Sequence, residues 1–240
     1  FLENVEQEIL RQIEDSVDAE IIGITCYTPE LQEVSRIADK IKKIKPHAWI
    51  ICGGIHPTLY PEDFLGATSP FDFAVIGEGE VTLLDLVRHL IKKEGDFSQI
   101  QGIGYFDKVS FKNVITQQRP LIEVLDDIAY PDYEDLDMEF YTNASPYSIR
   151  GVFARSFYIS SSRGCPSSCV FCVSKKLREY HGVNRFVRLR SPGSLYAEIQ
   201  ILSEKYHVDA FYFIDDLFTL KKDNVFAFCD LMTRNRSTLI

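Results

Sequence analysis

The chain has 240 residues, 45% hydrophobic and 25% charged, with a formal net charge of −9, the balance of a globular protein with room for one large or two ordinary domains. The acidic excess argues against a broad electrostatic footprint for DNA or RNA. No apolar run approaches bilayer-spanning length and the opening residues do not read as a basic-then-apolar leader, so no membrane span is expected.

In chain order, the opening reads as a helix with Val5, Ile9 and Ile13 at helical spacing. Residues 19–25 form a short apolar run of the buried parallel-strand kind. Residues 29–45 carry Leu31, Val34, Ile37, Ala38, Ile41 and Ile44 on one helical stripe, with Pro29 in the first turn. Strands are expected at 48–52, ending in Gly53-Gly54, and at 71–76, ending in Gly77. Between 81 and 93 lies an amphipathic helix with Leu84, Val87, Leu90 and Ile91 as its apolar stripe. This β-α-β-α order predicts a doubly wound sheet with ligands at the C-terminal strand ends. Residues 102–106 and 109–116, joined around Asp107-Lys108, read as an edge hairpin. Periodicity then weakens through an acidic, tyrosine-rich stretch punctuated by Pro120, Pro131 and Pro146, read as a connector packed on the surface.

A second β/α alternation begins at 157–161. A helix at 194–206 aligns Leu195, Ile199 and Leu202; a strand at 210–214 ends in Asp215-Asp216; a last helical pattern covers 225–232. With no initiator Met and a terminus inside a helical pattern, the sequence reads as a fragment cut at both ends. The expected domains are 1–125, a connector 126–156, and 157–240. Cys26, Cys52 and Cys229 lie in apolar segments and read as buried small hydrophobes.

The densest chemistry is the run Ser162-Arg163-Gly164-Cys165-Pro166-Ser167-Ser168-Cys169-Val170-Phe171-Cys172, a C-x3-C-x2-C spacing. Iron–sulfur cubes normally take four cysteines; three leave one iron open to a small molecule. Structural zinc wants four ligands, usually as two separated pairs, and no second pair follows. A disulfide within so short a loop would be strained. The run, with Phe171 before the last cysteine and the lead-in 158–165, resembles the cluster loop of radical S-adenosylmethionine (SAM) enzymes. The resemblance implies a [4Fe–4S] cluster on Cys165, Cys169 and Cys172, with SAM chelating the open iron and cleaved reductively to a 5′-deoxyadenosyl radical. It also implies a reductant such as flavodoxin or ferredoxin and a reducing, cytoplasmic setting. Asp215 or Asp216 would meet the amino group of SAM; the plainer reading of Asp216 is a helix N-cap. Arg188 and Arg190 are candidates for a carboxylate of SAM or substrate, while Ser191 and Pro192 are explained by capping alone.

On the first half, Gly53-Gly54-Ile55-His56-Pro57-Thr58 and Gly77-Glu78-Gly79-Glu80 each follow a strand. A double glycine serves a turn as readily as a site, Glu80 suits a helix N-terminus, and His56 reads equally as a structural loop residue. Together they define one rim. Over residues 15–125 this pattern is similar to the cobalamin (B12)-binding domain found upstream of many radical SAM modules. In such domains a small hydroxyl residue and the double glycine cradle the nucleotide tail, places that Thr25 and Gly53-Gly54 match. The cobalt-ligating Asp-x-His-x-x-Gly loop of some members would lie before residue 1, and His56 is not its counterpart.

The fold expected is therefore α/β: a partial doubly wound, Rossmann-like cobalamin-binding domain followed by the start of a β/α radical SAM barrel. The family expected is that of cobalamin-binding-domain radical SAM enzymes, of the methyltransferase and anaerobic magnesium-protoporphyrin ester cyclase kinds. Methyl transfer from methylcobalamin to an unactivated carbon of a small molecule leads. Cyclisation, tRNA methylthiolation and a non-enzymatic corrinoid or iron–sulfur carrier are the alternatives. The tRNA reading would want further N-terminal cysteines and a less acidic chain.

Overall fold

The computed structural model describes residues 2–16, 18–92, 96–143, 154–182 and 186–234; Pro146 and the expected helix end at Lys93 lie outside them. Contacts divide the chain into two compact units, 1–121 and 122–240.

In the first unit, parallel strands β1 (Ile21–Thr25), β2 (Trp49–Gly53) and β3 (Phe73–Val75) are followed by the antiparallel hairpin β4 (Ile103–Asp107) and β5 (Lys112–Ile115), in sheet order β1-β2-β3-β4-β5. The helices are α1 (Leu2–Asp15), α2 (Leu31–Ile44), the short α3 (Ile55–Leu59) and α4 (Gly79–Lys92). Strand alternation sorts the core into two faces. Ile50, Cys52 and Ala74 pack with Val34, Ala38 and Ile41 of α2 and with Leu10 and Ile13 of α1. Ile51, Phe73, Val75 and Ile103 pack with Leu86 and Leu90 of α4. The sheet is thus covered on both faces, as the alternating pattern predicts, although the hairpin makes it mixed. Cys26 and Cys52 are fully buried, and burial pushes both thiols up, which keeps them neutral.

Two helical stripes are rotated from expectation. On α4 the buried face is Thr82, Leu86 and Leu90, whereas Leu84 is 46% exposed and Ile91 65% exposed. The sheet selects one i, i+4, i+8 row, and an almost continuously apolar helix offers more rows than it can bury. On α1, Val5 and Ile9 are exposed. The buried Glu6 instead faces α2, where Arg36 (2.6 Å) and Lys40 pair with its carboxylate.

In the second unit, β6 (Ser156–Ile159) pairs in parallel with β9 (Ala210–Phe213). A short antiparallel pair, β7 (Ser162–Arg163) and β8 (Arg188–Leu189), lies just past β6 in sequence. The helices are α5 (Met138–Thr142), α6 (Val173–His181), α7 (Pro192–Tyr206) and α8 (Lys222–Arg234). Ser191 caps α7, its Oγ accepting from the Ser194 amide at 3.1 Å with Pro192 at the first helical position, and Leu195, Ile199 and Leu202 are buried as expected. On α8 the residue turned inward is Phe228; Cys229, expected inside, is exposed because it lies one position round the helix.

The stretch expected as a surface connector contributes core here. Tyr133 and Met138 are buried with Leu202 and Val208. The Tyr133 hydroxyl donates to Glu198, whose other oxygen pairs with Arg190. Arg190 also donates to the Ser160 carbonyl at 3.0 Å and to Ser194 Oγ at 3.2 Å, with its guanidinium 5.5 Å from the centre of the Tyr130 ring. Desolvation, reinforced by Glu198, pushes the Tyr133 phenol far up, so it remains a donor.

Two predictions follow from this packing. The chain has one tryptophan, Trp49 in the first unit, so its fluorescence reports unfolding there. Leu86→Ala should lower stability by about 2–5 kcal/mol, whereas Leu84→Ala should stay within about 0.5 kcal/mol; equal losses in urea titrations would contradict the observed facing of α4. Glu198→Ala leaves Arg190 charged, largely enclosed and without its carboxylate. It should cost the second unit about 3–5 kcal/mol by circular dichroism, and a loss under about 1 kcal/mol would show that the pair does not hold that core.

Candidate functional site

The first candidate site lies where β1, β2 and β3 end. Gly54 has φ 105°, and a Cβ there would sit 2.8 Å from Thr25 Oγ1 and 3.1 Å from the Cys26 carbonyl oxygen. The double glycine thus lets the ends of two strands close on each other. From it the chain enters α3, which the sequence does not announce. His56 is 4% exposed. Its Nδ1 is 2.9 Å from Thr28 Oγ1 and its Nε2 3.1 Å from Asp63 Oδ2, so both ring nitrogens are engaged within the protein. Thr58, also buried, donates from Oγ1 to the Gly54 carbonyl at 2.7 Å and accepts from the Gly77 amide at 3.0 Å. Gly77 has φ 84°. Glu78 is half-buried, Glu80 is exposed, and α4 starts at Gly79. Thr58 therefore fastens the two glycine loops to each other, and His56, Pro57 and Thr58 are all buried and not on the rim's surface.

Beside that rim the strands present open surface. Thr25 pairs in register with Gly53, and Gly23 with Ile51, so these residues share the sheet face that α4 covers further along. Thr25 and Gly23 are exposed. A Cβ on Gly23 would meet nothing within 4 Å, and one on Gly53 only Val75 Cβ at 3.8 Å. This is open strand surface that side chains at Gly23 and Gly53 would cover, and it leaves room for an extended tail such as the nucleotide of cobalamin. Gly23 was not among the expected site residues. Its signal was a glycine inside a strand, which marks close approach of a ligand or backbone.

The second candidate site is the cysteine loop between β7 and α6. Gly164 opens it with φ 86°; a Cβ there would fall 2.7 Å from the Phe186 carbonyl oxygen. Cys165, Cys169 and Cys172 are free thiols, none of them buried. Phe171 is 90% exposed. The Cys172 amide donates to the Cys169 carbonyl at 3.1 Å, and Cys172 occupies the N-cap of α6. From the last turn of α6, Arg178 reaches back to the Pro166 carbonyl at 2.5 Å and Ser168 Oγ at 2.7 Å.

Asp215 and Asp216 straddle this loop. Asp215 accepts from the Ser161 amide at 3.0 Å, from Ser161 Oγ at 2.9 Å and from Ser162 Oγ. Asp216 accepts from Ser174 Oγ at 2.8 Å. The carboxylates at the end of β9 thus grip the chain just before the first cysteine and just after the last. Neither caps a helix, since α8 begins at Lys222. Arg188 and Arg190 are not free for a ligand carboxylate. Arg188 is buried, donating to the Ile122 carbonyl at 2.7 Å, and Arg190 is committed to Glu198. Their charges are satisfied internally because both precede a helix packed on the core. Ser161, Ser162, Ser174 and Arg178 were missed by the sequence reading, since their role lies in partners distant along the chain.

Among the described residues no three His, Cys, Asp or Glu side chains converge as a single-ion site. A cube asks something different of its thiolates, one for each of three irons. Three free thiols on one exposed loop, each of soft donor chemistry, fit that demand. No described helix is long and apolar enough to cross a membrane.

The B12-binding domain family matches residues 2–87. The chain is 32% identical over 210 residues to an uncharacterized methyltransferase of Pyrococcus horikoshii, covering 85% of this chain and 41% of that protein. It is 30% identical over 230 residues to the anaerobic magnesium-protoporphyrin IX monomethyl ester cyclase of Rubrivivax gelatinosus, covering 95% of this chain and 39% of that one. The solved structure of the cobalamin-dependent SAM radical enzyme OxsB, with aqua-cobalamin and SAM bound, superposes with a TM-score of 0.69 at 21% identity, over 95% of this chain and 30% of that chain. That likeness shows the fold: a cobalamin-binding α/β unit followed by β/α elements of a radical SAM barrel. The chain spans about two fifths of the length of these curated relatives. A B12-binding domain thus lies ahead of the C-x3-C-x2-C loop, and across both the chain is similar to methyltransferase and cyclase relatives.

Proposed function

We propose that this chain is the cobalamin- and cluster-binding portion of a radical SAM enzyme that transfers a methyl group to an unactivated carbon of a small molecule. The observation that carries the reading is the loop of three free thiols gripped on both sides by Asp215 and Asp216. Cys165, Cys169 and Cys172 would hold a [4Fe–4S] cluster, and Gly23, Thr25, Gly53 and Gly54 would receive the tail of cobalamin. When bound, these groups supply a 5′-deoxyadenosyl radical from SAM and a transferable methyl group.

The chain's own residues orient and fasten. The Asp215 grip fixes where the loop leaves the strand pair, and the Ser174–Asp216 bond fixes where it enters α6. Thr58 ties the two glycine loops together beside the open surface at Thr25. A reductant of the flavodoxin or ferredoxin class and a reducing compartment such as the cytoplasm suit an oxygen-sensitive cluster. Ring closure is the second reading, favoured by the cyclase relative.

The test is anaerobic reconstitution with iron and sulfide, then incubation with SAM and dithionite. 5′-Deoxyadenosine should accumulate with the unaltered protein and be absent with Cys169→Ala. A formed cluster that yields none would overturn the radical reading. The cobalamin half is tested separately. Gly23→Leu should weaken hydroxocobalamin binding by about tenfold or more without lowering stability, because its side chain enters open space; unchanged affinity would place the corrinoid elsewhere.

A further inference from the structure

Arg178 lies outside every motif that the family resemblance uses. It sits in the last turn of α6, where a cation beside helix-terminal carbonyls needs no further explanation. Its side chain does something else. Its polar contacts are 10, 12 and 13 residues earlier: Ser168 Oγ at 2.7 Å, the Pro166 carbonyl at 2.5 Å and the Cys165 carbonyl at 3.5 Å. The planar fork therefore spans the first half of the cysteine loop, between Cys165 and Cys169. No carboxylate pairs with it among the described residues; the nearby Glu179 is met by Lys175 at 3.8 Å. Arg178 is half-buried, so solvent only partly screens its charge.

Resting on the cluster reading above, we propose that Arg178 is a positioning residue that clamps the cysteine loop and sets the cluster's reduction potential through its uncompensated positive charge.

Two physical arguments support this. The loop buries little of itself and has little regular structure of its own, so its geometry must be imposed from outside. Asp215 and Asp216 hold only its two ends, and Arg178 is what holds its middle. A [4Fe–4S] cube on three thiolates carries net negative charge, and reduction adds one more. A nearby unpaired cation stabilises the reduced form more than the oxidised one and raises the potential. Lysine would keep the charge, but its single ammonium cannot reproduce a planar fork that bridges a carbonyl and a hydroxyl two residues apart.

The experiment compares Arg178→Lys and Arg178→Gln with the unaltered protein in two measurements. The first is amide hydrogen exchange over residues 164–172 in the cluster-free protein. Exchange should accelerate by about tenfold or more in Arg178→Gln and by less in Arg178→Lys; an unchanged loop in Arg178→Gln would overturn the clamp. The second is the midpoint potential of the reconstituted cluster, followed by electron paramagnetic resonance. It should fall in Arg178→Gln and stay near the unaltered value in Arg178→Lys. Equal potentials in all three would overturn the electrostatic role and leave a structural clamp. If Arg178→Gln takes up no cluster while Arg178→Lys does, the need for the charge is upheld. If the unaltered protein itself takes up no cluster, the electrostatic role falls together with the cluster reading, and the exchange measurement still decides the clamp.

Discussion

The site in the second unit depends on one constraint: two adjacent carboxylates at the end of β9 grip both ends of the cysteine loop. The parallel register of β6 and β9 places Ile159 beside Phe213, and the Ile214 amide continues the ladder to the Ile159 carbonyl at 3.0 Å. Ser161 and Asp215 therefore leave the sheet side by side. Hydrogen bonds to an ionised carboxylate contribute about 1.5–3 kcal/mol each, enough to hold a loop that buries little apolar surface. Behind it, Arg190 holds the Ser160 carbonyl, Glu198 neutralises Arg190, and Tyr133 donates to the other oxygen of Glu198. The chemistry-bearing thiols project from a loop anchored through the buried Ser161, Ser162 and Ser174, the arrangement by which a rigid scaffold places reactive groups in solvent.

The first unit reaches a similar end with small residues in place of charges. Its rim is held from below by His56 and Thr58, and its working surface is defined by missing side chains at Gly23 and Gly53. Glycine in a strand sacrifices packing and backbone entropy. That loss is tolerable on β1, where Gly23 and Thr25 are exposed. His56 shows how a residue that reads as a ligand can serve a site indirectly, since both its nitrogens are spent on fastening the loop that carries Gly54.

Legibility in the sequence followed the range of the interactions involved. The cysteine loop is contiguous, so its spacing and chemistry could be read directly. Strands and helices carrying a single apolar period were also readable, as for Val34, Ala38 and Ile41 or Leu195, Ile199 and Leu202. The stripe on α4 was misplaced because Val81, Leu83, Leu84, Leu86, Val87, Leu90 and Ile91 allow several faces, and the sheet decides which is buried. The internal partners of Asp215 and Arg190, Ser161 and Glu198, gave no signal because they are recognisable only once strands and helix are assembled. Tyr133 was taken as connector for the same reason. Arg178 gave no signal, since a cation late in a helix is ordinary until its reach is seen.

The central claim is that a cube held by these three thiolates leaves one iron for SAM. Mössbauer and electron paramagnetic resonance spectra of the anaerobically reconstituted, 57Fe-enriched protein, recorded with and without SAM, test it most directly. The account predicts one iron distinct from the other three and a resonance of the reduced cluster that changes when SAM is added. Four equivalent protein-ligated irons, with a spectrum indifferent to SAM, would contradict it.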